Sequence, residues 1–100
     1  MTLRHVVMWK MAAPDAPTRR EHAQECARRL QALEGVVPQL LSISAGANTE
    51  YADVNWDITL IADFADLAAL EAYQMHPAHE EAATYIRSVA GGRAAVDYTV

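Results

Sequence analysis

The succession of apolar periods along the chain predicts an α+β fold of the ferredoxin-like kind, a split β-α-β unit whose second helix is broken in two. Three observations carry that expectation. Strand-like stretches open and close the sequence, and a third stretch places Trp56, Ile58, Leu60, Ala62 and Phe64 on one face and Asp57, Thr59, Ile61 and Asp63 on the other. Between the strands, apolar residues recur at three- and four-residue spacing, the signature of helices that bury one face. A His76-Pro77 step then divides the last helical region, since proline suits a helix's first turn and pushes the residue before it into extended backbone.

Taken in order, Leu3 to Met11 is a strand rich in Val, Met and Trp, apolar at nearly every position and therefore expected to be covered on both faces. Pro14 and Pro17 interrupt the chain. Thr18 and Glu21 then have the spacing of a capping box for a helix that runs to about Leu33, with Gly35 as its left-handed cap. Val36 to Ala47 reads as the second strand, Gly46 as a bulge within it, and the polar Asn48 to Asp53 as a loop. Trp56 to Phe64 is the third strand. Asp66 caps a helix ending near Met75, and Pro77 to about Val89 forms the next. Gly91-Gly92 releases the chain into a last strand through Asp97, Tyr98, Thr99 and Val100. The order is β-α-β-β-α-α-β.

In such a fold the helices cover one face of the sheet. The first strand is apolar on both sides, and Trp56, Ile58, Leu60 and Phe64 add a further stripe, so the second face is expected to meet an identical sheet. A homodimer built as a dimeric α+β barrel follows.

The chain has 100 residues, which is one domain, residues 1–100. Twenty of its residues are alanines, which bring little volume, so its core must close tightly, stay partly vacant or be completed by a partner. A net charge of -5 with scattered basic residues and few aromatics argues against nucleic acid and anionic membranes as partners. The apolar N-terminus is broken by Arg4, His5 and Lys10 well short of a signal or membrane-spanning segment. Cys26 is the only cysteine, so no internal disulfide forms, and a reducing, cytoplasmic setting is expected.

The chemistry-bearing residues gather at the helix junction. Leu67, Leu70 and Tyr73 share one helical face, while His79, Ala82, Ala83 and Ile86 follow the i, i+3, i+4, i+7 pattern, so the Tyr73 phenol and the His79 imidazole both point inward. An imidazole near neutrality beside a phenol suits a general base, and it equally suits a core histidine that ties the junction together. His76 reads as the cap of the helix opened by Pro77. His76 and His79, two residues apart across a proline corner, lack the spacing of a zinc site, and no metal or cofactor is expected.

Leu3-Arg4-His5-Val6-Val7-Met8-Trp9-Lys10, the Gly35-Val36-Val37-Pro38 turn, Ala72-Tyr73-Gln74-Met75-His76-Pro77-Ala78-His79 and Val96-Asp97-Tyr98 together make the sequence resemble the stress-responsive A/B barrel (Dabb) domain family. The resemblance spans essentially the whole chain and implies a dimeric α+β barrel. One plant branch of that family contains a polyketide cyclase that closes a ring by aldol condensation, and this sequence resembles it at His5, Tyr73 and His79. The resemblance implies that His79 removes a proton next to a carbonyl, Tyr73 relays through a hydrogen bond and His5 orients the substrate. It also places Val7, Trp9, Cys26, Ala27, Leu30, Asp57 and Thr59 around the ligand, where small and polar residues replace that branch's bulky aromatics. A compact carbonyl-containing or aromatic ligand is expected. The alternative is a non-catalytic structural or stress-protective dimer, in which the same residues are packed solid.

Overall fold

The computed structural model describes residues 1–100 and contains β1 (Leu3–Met11), α1 (Ala16–Gln31), β2 (Ser42–Ala47), β3 (Ile58–Phe64), α2 (Leu67–Met75), α3 (Pro77–Val89) and β4 (Ala90–Thr99). The four strands form one antiparallel sheet in the order β2-β3-β1-β4, the arrangement of a ferredoxin-like fold. No helix is long and apolar enough to cross a membrane.

The expected element order stands, and its boundaries move where local hydrogen bonding decides them. Helix α1 is capped by Asp15, not by Thr18: the Asp15 carboxylate accepts from the Thr18 backbone N–H at 3.0 Å and from its hydroxyl at 2.7 Å, which pulls the start upstream and puts Pro17 in the first turn. Gly35 takes the left-handed conformation at φ 77°. Beyond it, the segment expected to begin a strand at Val36 is a turn, because the N–H groups of Val36 and Val37 bond the Leu33 carbonyl at 3.0 and 3.2 Å and Pro38 has none to offer a ladder. Strand β2 therefore starts only at Ser42. Its outer edge is partly closed by Gln31, whose side-chain amide donates to the Ile43 carbonyl at 3.0 Å and accepts from the Ala45 N–H at 3.1 Å.

Strand β3 begins at Ile58, two residues later than the alternation suggested. Asp57 is turned aside at the end of β1, where its carboxylate accepts the Met11 N–H at 2.7 Å. The bulge lies elsewhere too. Gly46 pairs regularly with Thr59, whereas the β1–β4 register shifts between Lys10 and Met11. There Gly91 approaches Ala12 so closely that a Cβ would stand 3.2 Å from its Cα, and glycine is what lets the two backbones meet. The glycine pair does not release the chain into β4, which runs on from Ala90 at the end of α3.

The most consequential correction concerns the sheet faces. Ile58, Leu60, Ala62 and Phe64 are buried with His5, Val7, Trp9 and Met11 under the helices, so the clean stripe of β3 is the core and not a second apolar face. The open face carries the other parity: Val6, Met8, Ile61, Val96 and Tyr98, flanked by an Arg4–Asp63 ion pair with contacts of 2.9 and 3.0 Å. Met8, Ile61, Val96 and Tyr98 are 42, 42, 62 and 44% exposed, a contiguous apolar area that a lone chain would leave wet. Trp56 lies at the edge of this face, with the Lys10 ammonium 5.1 Å from its ring centre.

Candidate active site

Strand alternation aims His5 and Trp9 of β1, Leu60 of β3 and Arg93 of β4 towards the helices, and Helix α3 lays His79, Ala83 and Arg87 across from them on one strip at four-residue intervals. Helix α1 contributes Leu30. Between these elements opens a cavity of about 270 Å³ whose wall also includes Gln74, Glu80 and Ile86. A larger groove of about 570 Å³ runs along the open sheet face past Met8 and Trp56 and has no ionisable side chain in its wall. The side chains able to transfer a proton therefore line the smaller cavity.

Each of its two imidazoles is fixed through Nδ1. The His5 ring is almost wholly buried, and its Nδ1 contacts a carboxylate oxygen of Asp97, which the antiparallel pairing of the neighbouring strands β1 and β4 sets directly opposite His5. His79 Nδ1 donates to the Gln74 carbonyl at 3.0 Å, a bond made possible by the corner at His76, which caps α3 by accepting the Ala78 N–H at 3.1 Å. A carboxylate and a carbonyl can only accept, so both rings carry their proton on Nδ1 when neutral and keep Nε2 as a free lone pair. Burial, opposed by the Gln74 bond, holds His79 below its ordinary 6.5 and so favours the neutral ring near pH 7.

Behind this wall the rings run in series. His5 stacks edge-on against Phe64 at 6.5 Å, Phe64 meets Tyr73 at 5.0 Å and Tyr73 meets His79 at 4.5 Å between centroids. Tyr73 is fully buried, its hydroxyl has no hydrogen-bond partner in the protein, and burial raises its pKa to about 12, which keeps the phenol protonated. It backs His79 and does not reach the cavity wall.

Of the residues expected around a ligand, the structure brings His5, His79, Trp9 and Leu30 together and leaves the others apart. Val7 and Cys26 are sealed in the core, where burial raises the Cys26 thiol to about 11 and keeps it protonated. Ala27 packs against that core from α1. Asp57 serves the end of β1, and Thr59 faces the open side, where its hydroxyl donates to the Val7 carbonyl at 3.1 Å. Gln74, Arg87, Arg93 and Asp97 were not expected at the site. The four-residue spacing from His79 through Ala83 was a signal for Arg87, whereas Asp97 and Arg93 become visible only with the β1–β4 register. No three His, Cys, Asp or Glu side chains converge to hold a metal ion.

A four-stranded antiparallel sheet with one helical layer, its second helix broken at a His-Pro corner beside the cavity, defines a ferredoxin-like α+β protein. Residues 3–100 match the stress-responsive A/B barrel domain, and the chain belongs to that family. Among solved structures it is similar to a dimeric ferredoxin-like protein of unknown function from Bacteroides fragilis, with a TM-score of 0.86, 25% identity and coverage of 99% of this chain and 96% of that one. A dimeric ferredoxin-like protein of unknown function from Thermobifida fusca gives a TM-score of 0.84 and 26% identity, covering 100 and 92%. The hydroxynitrile lyase of Passiflora edulis shares the fold at a TM-score of 0.77 and 13% identity, covering 99 and 93%. No curated protein matches the sequence significantly.

Proposed function

We propose that the protein is a homodimer that binds a compact carbonyl compound in the cavity between sheet and helices and moves a proton on it, as a cyclase or lyase of the aldol type does. The observation that carries this reading is the pair of imidazoles on one cavity wall, each tied through Nδ1 and each with a free Nε2. His79 is the base. The C–H bond next to the carbonyl breaks, the proton goes to His79 Nε2 and the electron pair moves into the carbonyl to form an enolate, which then attacks an electrophile or is reprotonated. With Nδ1 held by the Asp97 carboxylate, which balances the added charge, the protonated His5 ring donates from Nε2–H to the carbonyl oxygen and orients it. Dimerisation through Val6, Met8, Ile61, Val96 and Tyr98 is supported by the apolar character of the open face and by the dimeric state of the Bacteroides and Thermobifida proteins. A cytoplasmic setting fits a lone, buried, protonated thiol.

Deuterium exchange at the methylene of phenylacetone in D2O, followed by NMR, tests the reaction. The wild type should accelerate exchange, with His79→Ala losing on the order of 100-fold or more and His5→Ala losing part of the rate. Because burial holds His79 below its ordinary 6.5 in the folded protein, the rate should fall as the ring takes up a proton, with its midpoint at a pH below 6.5. Exchange at the buffer rate with wild-type protein, or a His79→Ala variant as fast as wild type, would sink the reading.

A further inference from the structure

The cavity rim holds two guanidinium groups that no protein carboxylate occupies. Arg4, Arg28 and Arg29 all sit in ion pairs, with Asp63 and Glu25. Arg87 makes only a 3.4 Å side-chain contact, to the Thr84 hydroxyl, and Arg93 makes no side-chain hydrogen bond or ion pair. The nearest carboxylate on the strand face of Arg93, Asp97, is already engaged by His5. Glu80 is the one acidic group on the cavity wall, and neither it nor Asp97 forms an ion pair with Arg87 or Arg93. Two unpaired guanidiniums at one mouth offer an anion a local site on a chain whose total charge is -5.

From this we infer that the ligand is a carbonyl compound that also bears a carboxylate, held at the rim by Arg87 and Arg93 while its carbonyl lies between His5 and His79. The inference rests on the cavity reading given above and names the substrate class. Each guanidinium presents two parallel N–H donors that match the two oxygens of a planar carboxylate. Arg93 stands opposite Trp9 in the β1–β4 register, and the indole with Leu30 and Leu60 gives the ligand's apolar part a surface to lie on. The same register sets Asp97 opposite His5, two pairs away along the ladder. One face of β4 thus supplies both the group that orients the catalytic ring and the group that would anchor the anion. A volume of about 270 Å³ restricts the ligand to a compact molecule.

Phenylpyruvate and phenylacetone differ by the carboxylate, and titrating each into the full-length protein while following the His5 and His79 ring signals by NMR isolates its effect. Phenylpyruvate should bind on the order of tenfold tighter or more at low salt, and the advantage should shrink as salt is added. Arg93→Gln and Arg87→Gln should each bring phenylpyruvate towards the affinity of phenylacetone and leave phenylacetone unchanged. Equal affinities, or variants that bind phenylpyruvate as wild type does, would overturn the carboxylate assignment while leaving the cavity reading intact. Inorganic phosphate displacing phenylpyruvate at equal concentration would also overturn it, since the rim would then accept any anion. Failure of both ligands to move the histidine signals would overturn this assignment and the cavity reading together. Arginine-dependent binding of phenylpyruvate without proton exchange would uphold the anion site and reject the reaction.

Discussion

The two halves of the helix-covered space use the same kind of backbone to opposite ends. Under α1, the sheet is sealed: Ala23, Cys26, Leu33, Val37 and Ile43 are all buried, and not one of them offers a group that can transfer a proton at neutral pH. Under α3, beside β1 and β4, the same layer opens into a cavity whose wall holds two imidazoles, two guanidiniums and a carboxylate. The difference arises at the sheet edge. Strand β4 lies beyond the helices, so its inward parity, Arg93, Ala95 and Asp97, stays exposed and is free to be polar. Stability is concentrated where the layers close, and reactive groups collect where they fail to close.

The sharpest way to break that contrast is to open the sealed half. Leu33→Ala removes a buried side chain between α1 and the turn at Gly35 and should cost about 2–5 kcal/mol. At roughly 4–8 °C per kcal/mol for a domain of this size, the melting temperature should fall by on the order of 10 °C or more. Arg93→Gln, on the open side, removes an exposed group and should change stability by no more than about 0.5 kcal/mol. Calorimetry of the two variants checks both, and comparable losses would erase the distinction between the halves.

A second comparison sets the helix-side face of the sheet against its open face. Ile61→Lys puts a charge on the surface proposed to meet a second copy and should weaken the dimer by on the order of a hundredfold, because the ammonium would be desolvated without a partner. Sedimentation at micromolar concentration should find a wild-type dimer and a variant shifted to monomer with its fold retained. Leu60→Glu, one residue away on the same strand, should instead unfold the chain, since Leu60 belongs to the core. A monomeric wild type would remove the homodimer from the proposal.

Much of this architecture was legible in the residues. Period-2 and period-3.6 patterns gave every element, His76-Pro77 gave the broken helix, and inward spacing placed His79 and Tyr73 below the surface. What failed was parity: an alternating strand declares that it has two unlike faces but not which one the helices will cover, so the stripe of Trp56, Ile58, Leu60 and Phe64 was assigned to the wrong side. The same limit governs the site. Asp97 and Arg93 stand about ninety residues from His5 and Trp9 in sequence and meet them only through antiparallel pairing, which no local pattern records. Caps were subject to a nearer competition, in which Asp15 outbid Thr18 because its carboxylate reaches two donors at once.

The smallest expected effect is the most discriminating test of Tyr73. Its position three residues before His76 and its contact with the His79 ring suggest a partner in proton transfer, yet its hydroxyl is buried, lacks a protein partner and lies behind the cavity wall. A buried hydroxyl without a hydrogen bond has lost its hydration and gained nothing in return, at a cost of about 1–3 kcal/mol. Tyr73→Phe keeps the ring that packs on Phe64 and His79 and removes only that hydroxyl. The variant should be as stable as wild type or more stable, by up to about 1 kcal/mol, and should exchange phenylacetone protons at an unchanged rate. A melting temperature lowered by several degrees would mean that the hydroxyl is satisfied in solution, and a collapse in exchange with stability intact would move Tyr73 from supporting His79 to acting on the ligand itself.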